Sequence, residues 1–246
     1  MAVIEVRRGL AVCLVVLAGL HLVLGVGTIG WVAGLGCGLV LAVATARRAV
    51  VDEVEAFGPA DLVTLTRATL ACAVAALVAQ SFDGTDMVRT LVPLTVVALA
   101  LDFVDGRVAR RTGTASAFGG RIDGEADAFL ILVLSAYVGR EAGWWVLAMG
   151  LVRYAYAVAT WLVPWMQRQL PPRYWRKVVA AYAGIALTAA ASGLLPAVAT
   201  YAVLVVALLL LAESFGWDVV WLWRRRGLNR RGVWDVRKGK TLQRNR

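Results

Sequence analysis

Apolar residues in this chain fall in long unbroken runs, not in strict alternation, and short clusters of Gly, Pro, Arg and Asp separate them. About eight runs reach the roughly 17–25 residues that carry a helix across a hydrocarbon core. They lie roughly at 9–26, 30–46, 62–81, 88–106, 121–139, 143–165, 177–193 and 196–217. Lipid offers the backbone no hydrogen-bond partners, so continuous runs of this kind predict helices and exclude lipid-facing strands of a barrel. The pattern predicts an all-α integral membrane protein with short connections. Arg7 and Arg8 precede the first run as they would in a signal peptide, but the run continues through His21 without a small-residue cleavage site, so a retained helix is expected.

Composition agrees: 60% of the 246 residues are hydrophobic and 17% charged, more apolar than a soluble domain of this size. The net charge of +10 raises nucleic acid as a partner, but its distribution argues against that. With the N-terminus inside, Arg7/Arg8, Arg47/Arg48, Arg107/Arg110/Arg111, Arg168/Arg173/Arg176/Lys177 and the tail from Arg224 all fall on one side, with only Arg89 and Arg140 near the other. Cytoplasmic segments collect Lys and Arg in this way. A multi-pass protein of the cell membrane with both termini cytoplasmic is expected, with the basic tail lying against anionic headgroups. Cys13, Cys37 and Cys72 lack metal-ligand spacing and sit in apolar runs as buried small residues. His21, the only histidine, is expected to pack or hydrogen-bond between helices, not to act as a base.

The segment 101–130, LDFVDGRVARRTGTASAFGGRIDGEADAFL, breaks this pattern. Ionised carboxylates at membrane depth are expensive and are normally paired, metal-bound or facing a water-filled cavity. Asp102 and Asp105 are spaced i, i+3 and Asp123 and Asp127 i, i+4, so each pair projects from one helix face. A helical hairpin turning near 112–114 would bring the four together, where divalent cations relieve their repulsion. Oxygen-only ligands beside a diphosphate favour Mg²⁺ or Mn²⁺, and two ions would serve phosphoryl-type transfer. Gly106, Ala109 and Gly119 leave room for a base or diphosphate to approach the backbone, and Arg110 offers a planar fork of donors to phosphate.

Asp102-x-x-Asp105-Gly106-x-x-Ala109-Arg110, then eight residues, then Gly119-x-x-x-Asp123-x-x-x-Asp127 resembles the signature of the CDP-alcohol phosphotransferase (CDP-alcohol phosphatidyltransferase) family at all eight fixed positions. The resemblance covers about residues 57–217 and implies a six-helix core there. Residues 1–56 would then be an extension with two transmembrane helices, and 218–246 a basic cytoplasmic tail. It also implies that Asp102, Asp105 and Asp123 ligate the metals. Asp127 would stand with them and take the acceptor's hydroxyl proton. Gly106, Arg110 and Ser116, with Ala109 and Gly119 beside them, would contact the CDP portion of the donor. The stretch Pro59–Arg67 looks like the family's donor-binding approach to its first core helix, placing Asp61 and Thr64 near the nucleotide, although Asn is common in relatives at the position of Asp61. A carboxylate beside cations is a weak base, which is tolerable where the metal also acidifies the acceptor hydroxyl.

The implied partners are a CDP-diacylglycerol-type donor, a small alcohol acceptor and membrane lipids, with a homodimer left open. Arg153 lies well inside a run, at LVRYAYAV, where an unpaired guanidinium is disfavoured. It would hold an acceptor phosphate, or pair with a carboxylate such as Glu213. Arg121, Arg176 and Lys177 would join it from the cytoplasmic rim. These cations favour a phosphorylated polyol, such as glycerol 3-phosphate or inositol phosphate. Two other readings are a small transporter using the same aspartates as a cation path, against which the acidic segment shows no inverted repeat, and an inactive scaffold, which would not need all four aspartates.

Overall fold

The computed structural model describes residues 2–51, 59–112, 117–168, 170, 171 and 173–226, with side chains at 9–47, 49, 50, 63–104, 119–168, 170, 171 and 173–226. Every regular element among them is helical. Eight α-helices follow in order: α1 (Ala2–Leu24), α2 (Thr28–Val51), α3 (Pro59–Ser81), α4 (Val88–Thr112), α5 (Ala117–Ala142), α6 (Leu147–Leu162), α7 (Tyr174–Ala191) and α8 (Ala197–Arg225). Short 3₁₀ turns at Trp144–Val146 and Pro164–Gln167 flank α6. Each expected run thus became a helix, and several helices extend beyond their apolar stretch, as α8 does to Arg225.

The eight helices match the eight expected runs in number, while composition marks a smaller set of them as apolar enough to span a bilayer unaided. Among the described residues four helical stretches are long and apolar enough to cross a membrane: Thr28–Arg47, Val63–Ser81, Trp144–Leu162 and Ala197–Arg225. The apolar described part of α1, Gly9–Leu24, is shorter. Charged residues dilute α4 and α5, which carry the acidic segment, and Arg176 and Lys177 open α7.

Helix α3 sits at the centre, packed by α1, α2, α4 and α5. Its sequence explains the position: Ala71, Cys72, Ala73, Val74, Ala75, Ala76 and Leu77 are all buried, and this alanine-rich surface admits neighbours on every side. Apolar lipid supplies no hydrophobic drive between helices, so close backbone approach and dispersion carry the association. Gly34 of α2 shows how close that approach is. A Cβ there would lie 3.1 Å from Ala76 Cβ and 2.7 Å from Leu17, so α2 is seated against α3 and α1 together. Gly150 of α6 does the same against α5, where a Cβ would lie 2.6 Å from Ser135 Oγ and closer still to Leu132 Cα.

Buried hydroxyls find acceptors within their own helices. Thr69 donates to Leu65 O at 3.0 Å, Thr95 to Leu91 O at 2.8 Å and Thr188 to Gly184 O at 2.7 Å, satisfying polar groups that lipid could not. His21 closes the first turn: Gly25 adopts φ 65° after α1, and His21 Nδ1 donates to Val26 O at 2.8 Å. The expected hydrogen-bonding role of His21 is therefore local to this turn. Cys13 and Cys72 are buried and Cys37 half-buried, all as free thiols.

Far from the acidic segment, α3 is fastened a second time. Gly27 N donates to Gln80 Oε1 at 2.8 Å, and Arg140 of α5 donates to Ser81 O at 2.8 Å and Ser81 Oγ at 3.1 Å while lying over Phe82.

Candidate metal and phosphate site

The acidic segment occupies the C-terminal half of α4 and the N-terminal half of α5, both packed on α3. Asp102 of α4 and Asp123 and Asp127 of α5 converge: one carboxylate oxygen from each lies within 4.8 Å of the others. The i, i+4 spacing on α5 places its two carboxylates on one face, and the helix packing supplies the third. All three are partly accessible, with side-chain exposures of 35% for Asp102, 17% for Asp123 and 27% for Asp127. A ligand can therefore reach them. Three hard oxygens at this spacing form a donor set able to hold a divalent cation.

The residue that organises this set was given no role in the sequence. Arg67 of α3, only 3% exposed, directs Nη1 to Asp123 and Nη2 to Asp127 in charge-assisted hydrogen bonds. Its Nη1 is also 3.1 Å from Asp102 Oδ1, and its Nε donates to Ala98 O at 3.3 Å. One guanidinium thus touches α4 through backbone and side chain and α5 through two carboxylates. A signal was present: Arg67 is a permanent cation inside an apolar run, the same feature that drew attention to Arg153.

The expected donor-contact residues separate into two groups. Thr64 is buried one turn before Arg67 on α3, and Gly119 is half-buried one turn before Asp123 on α5. Both therefore flank the carboxylates. The side chains of Asp61, Asp105, Gly106, Ala109 and Arg110 lie outside the described residues, although all five positions fall on α3 or α4, and Ser116 lies outside them altogether.

The expected acceptor cations are also resolved. Arg153 Nη2 lies 3.2 Å from Glu125 Oε1 and 3.6 Å from where a Cβ on Gly124 would stand, so the guanidinium rests on α5 against Gly124 and Glu125. Its partner is Glu125, not Glu213. Glu213 is taken by Arg173 at 3.3 Å and Trp175 Nε1 at 2.7 Å. Arg176 Nε pairs with the buried Asp218 at 3.0 Å, which fastens the start of α7 to α8. Arg176, expected among the acceptor-binding cations of the rim, thus carries a structural ion pair. Lys177 is exposed, close enough for its charge to act on Asp102, and Arg121 is exposed near the start of α5.

A helical bundle with this carboxylate cluster agrees with one comparison. The family model described as CDP-alcohol phosphatidyltransferase matches residues 57–222, more than half of the chain. The chain belongs to the CDP-alcohol phosphatidyltransferase family. That membership makes it a member of a phosphotransferase family whose reaction moves a phosphatidyl group from a CDP-alcohol in lipid synthesis. With the four apolar helices it also makes the chain a membrane protein. Searches of curated proteins and of solved structures return no match. The match covers the resemblance carried by 101–130 and extends into α8 as far as residue 222, past the expected limit at 217.

Proposed function

We propose that this CDP-alcohol phosphatidyltransferase transfers the phosphatidyl group of CDP-diacylglycerol to the hydroxyl of a phosphorylated polyol, releasing CMP. The observation that carries the reading is the convergence of Asp102, Asp123 and Asp127 from two helices in a chain of this family. The cluster fits Mg²⁺ or Mn²⁺ because its donors are all carboxylate oxygens. Asp105, one turn beyond Asp102, completes the set in this reading. Asp102, Asp123 and Asp127 would hold such ions, which when bound would supply positive charge to neutralise what develops on the attacking and leaving oxygens.

The chain's own residues supply the rest. Thr64, Gly106, Ala109, Arg110, Ser116 and Gly119, with Asp61, bind the CDP end in this reading. Arg153, packed on the same helix α5 that carries Asp123 and Asp127, takes the acceptor phosphate in this reading and aims its hydroxyl at the phosphorus that carries the lipid. Asp127 accepts the hydroxyl proton. The acceptor oxygen bonds to that phosphorus, the bond from phosphorus to the bridging oxygen breaks, and CMP leaves with the electron pair. Arg121 and Lys177, both exposed at the same end, raise the local concentration of an anionic acceptor. The same reading takes residues 57–217 as a six-helix core, 1–56 as a two-helix extension, and the site and both termini as cytoplasmic at the cell membrane.

The test is a panel assay on the purified chain with CDP-diacylglycerol, Mn²⁺ and a set of alcohols, read by CMP release. Turnover with glycerol 3-phosphate or inositol phosphate is expected. Turnover confined to uncharged alcohols would overturn the acceptor class, and no CMP release with any alcohol would overturn the donor.

A further inference from the structure

Three carboxylates brought within 4.8 Å of one another on packed helices repel strongly, and the helices that carry them would separate without a compensating charge. The described compensation is Arg67. Its guanidinium is almost wholly buried, meets all three carboxylates, and is aimed by its Nε bond to the carbonyl of Ala98. The oxygens it engages are Oδ1 of Asp102, Asp123 and Asp127, one from each ligand that a divalent cation would use. An arginine side chain keeps its charge at any working pH and, held this deeply, has no route to solvent. A metal and this guanidinium therefore draw on the same three carboxylates.

We propose that Arg67 is the resident counter-cation of the aspartate cluster: it holds Asp102, Asp123 and Asp127 together before a metal binds, yields those oxygens to the divalent cation, and so sets how weakly the site holds it. The inference rests on the metal reading above and goes beyond it in assigning a competitor inside the protein. Two consequences follow with opposite signs. Removing the charge exposes the carboxylates to their mutual repulsion and weakens the fold when no metal is present. The same change removes the competitor and tightens metal binding. An arginine that merely braced the ligands would do the reverse to affinity, because lost bracing loosens a metal site.

The experiment compares the full-length wild type with Arg67→Gln and Arg67→Lys in detergent, first stripped with chelator and then cleared of it. Mn²⁺ binding is read from the electron paramagnetic resonance signal of the free ion, and thermal unfolding is followed with and without Mn²⁺. Arg67→Gln is expected to bind Mn²⁺ about tenfold or more tightly, as loss of a competing charged hydrogen-bond donor implies. It should also unfold at lower temperature in chelator and recover when Mn²⁺ is added. Arg67→Lys, which keeps the charge, should bind Mn²⁺ more weakly than Arg67→Gln. Unchanged or weaker Mn²⁺ binding by Arg67→Gln would overturn the proposal. If Arg67→Gln folds only with Mn²⁺ present, release of the ion into excess chelator decides: slower loss than from wild type supports the proposal, and equal or faster loss overturns it. Absence of Mn²⁺ binding by the wild type would instead overturn the metal reading on which the proposal stands.

Discussion

Replacing Arg153 with alanine separates acceptor recognition from folding. Arg153 and Glu125 are 41% and 43% exposed, so their ion pair sits where it is screened and is worth about 0–1 kcal/mol. Its loss should leave the melting temperature close to that of the wild type. A charge-assisted hydrogen bond to an acceptor phosphate contributes ~1.5–3 kcal/mol, which converts to a rise in acceptor KM of roughly 10- to 150-fold. The assay is the initial rate of CMP release at saturating CDP-diacylglycerol and Mn²⁺ with glycerol 3-phosphate varied, alongside a melting curve. Glu125→Gln serves as the companion, because it removes the partner and leaves the guanidinium, so its KM should not rise. Unchanged KM in Arg153→Ala, with an unchanged melting temperature, would refute the reasoning and leave Arg153 as the surface partner of Glu125 alone.

Asp127→Asn should abolish transfer while the protein stays folded and still binds CDP-diacylglycerol, checked by CMP release and a binding titration; substantial turnover would remove Asp127 as the base. Chelator should stop the reaction, and Mg²⁺ or Mn²⁺ should restore it; CMP release that continues after complete stripping would sink the metal reading. Gly150→Val should force α6 away from α5, since even a Cβ would meet Ser135 Oγ at 2.6 Å. The expected loss is at least the ~1–3 kcal/mol of an overpacked core, and an unaltered melting temperature would show that the interface can yield.

The helices were legible because an apolar run of sufficient length in lipid has one backbone solution. Their ends were less so. Hydropathy marks where a helix leaves hydrocarbon, whereas intrahelical hydrogen bonds carry α8 on through Trp221 and Trp223 to Arg225. The aspartates were legible for a related reason: i, i+3 and i, i+4 spacings fix a face without any knowledge of the tertiary fold. Ion-pair partners were not. Glu213 stands as an alternative partner for Arg153 from its place in an apolar run, but helix packing sets Arg153 on α5 against Gly124 and Glu125 and gives Glu213 to Arg173 and Trp175. Arg67 was missed because its meaning lies in two other helices. Nothing within α3 says that α4 and α5 will deliver carboxylates to its flank.

Helix α3 is gripped at Arg67 by the carboxylates and at Gln80 and Ser81 by Gly27 and Arg140. The thirteen residue steps from 67 to 80 make α3 a ruler about 20 Å long at ~1.5 Å per residue. Its graduations are angular as well as axial. Adding or deleting one residue between the two grips turns one against the other by ~100° and leaves either the guanidinium or the glutamine facing the wrong neighbour. Substitutions along this stretch can be absorbed by local repacking, but a change in its length cannot.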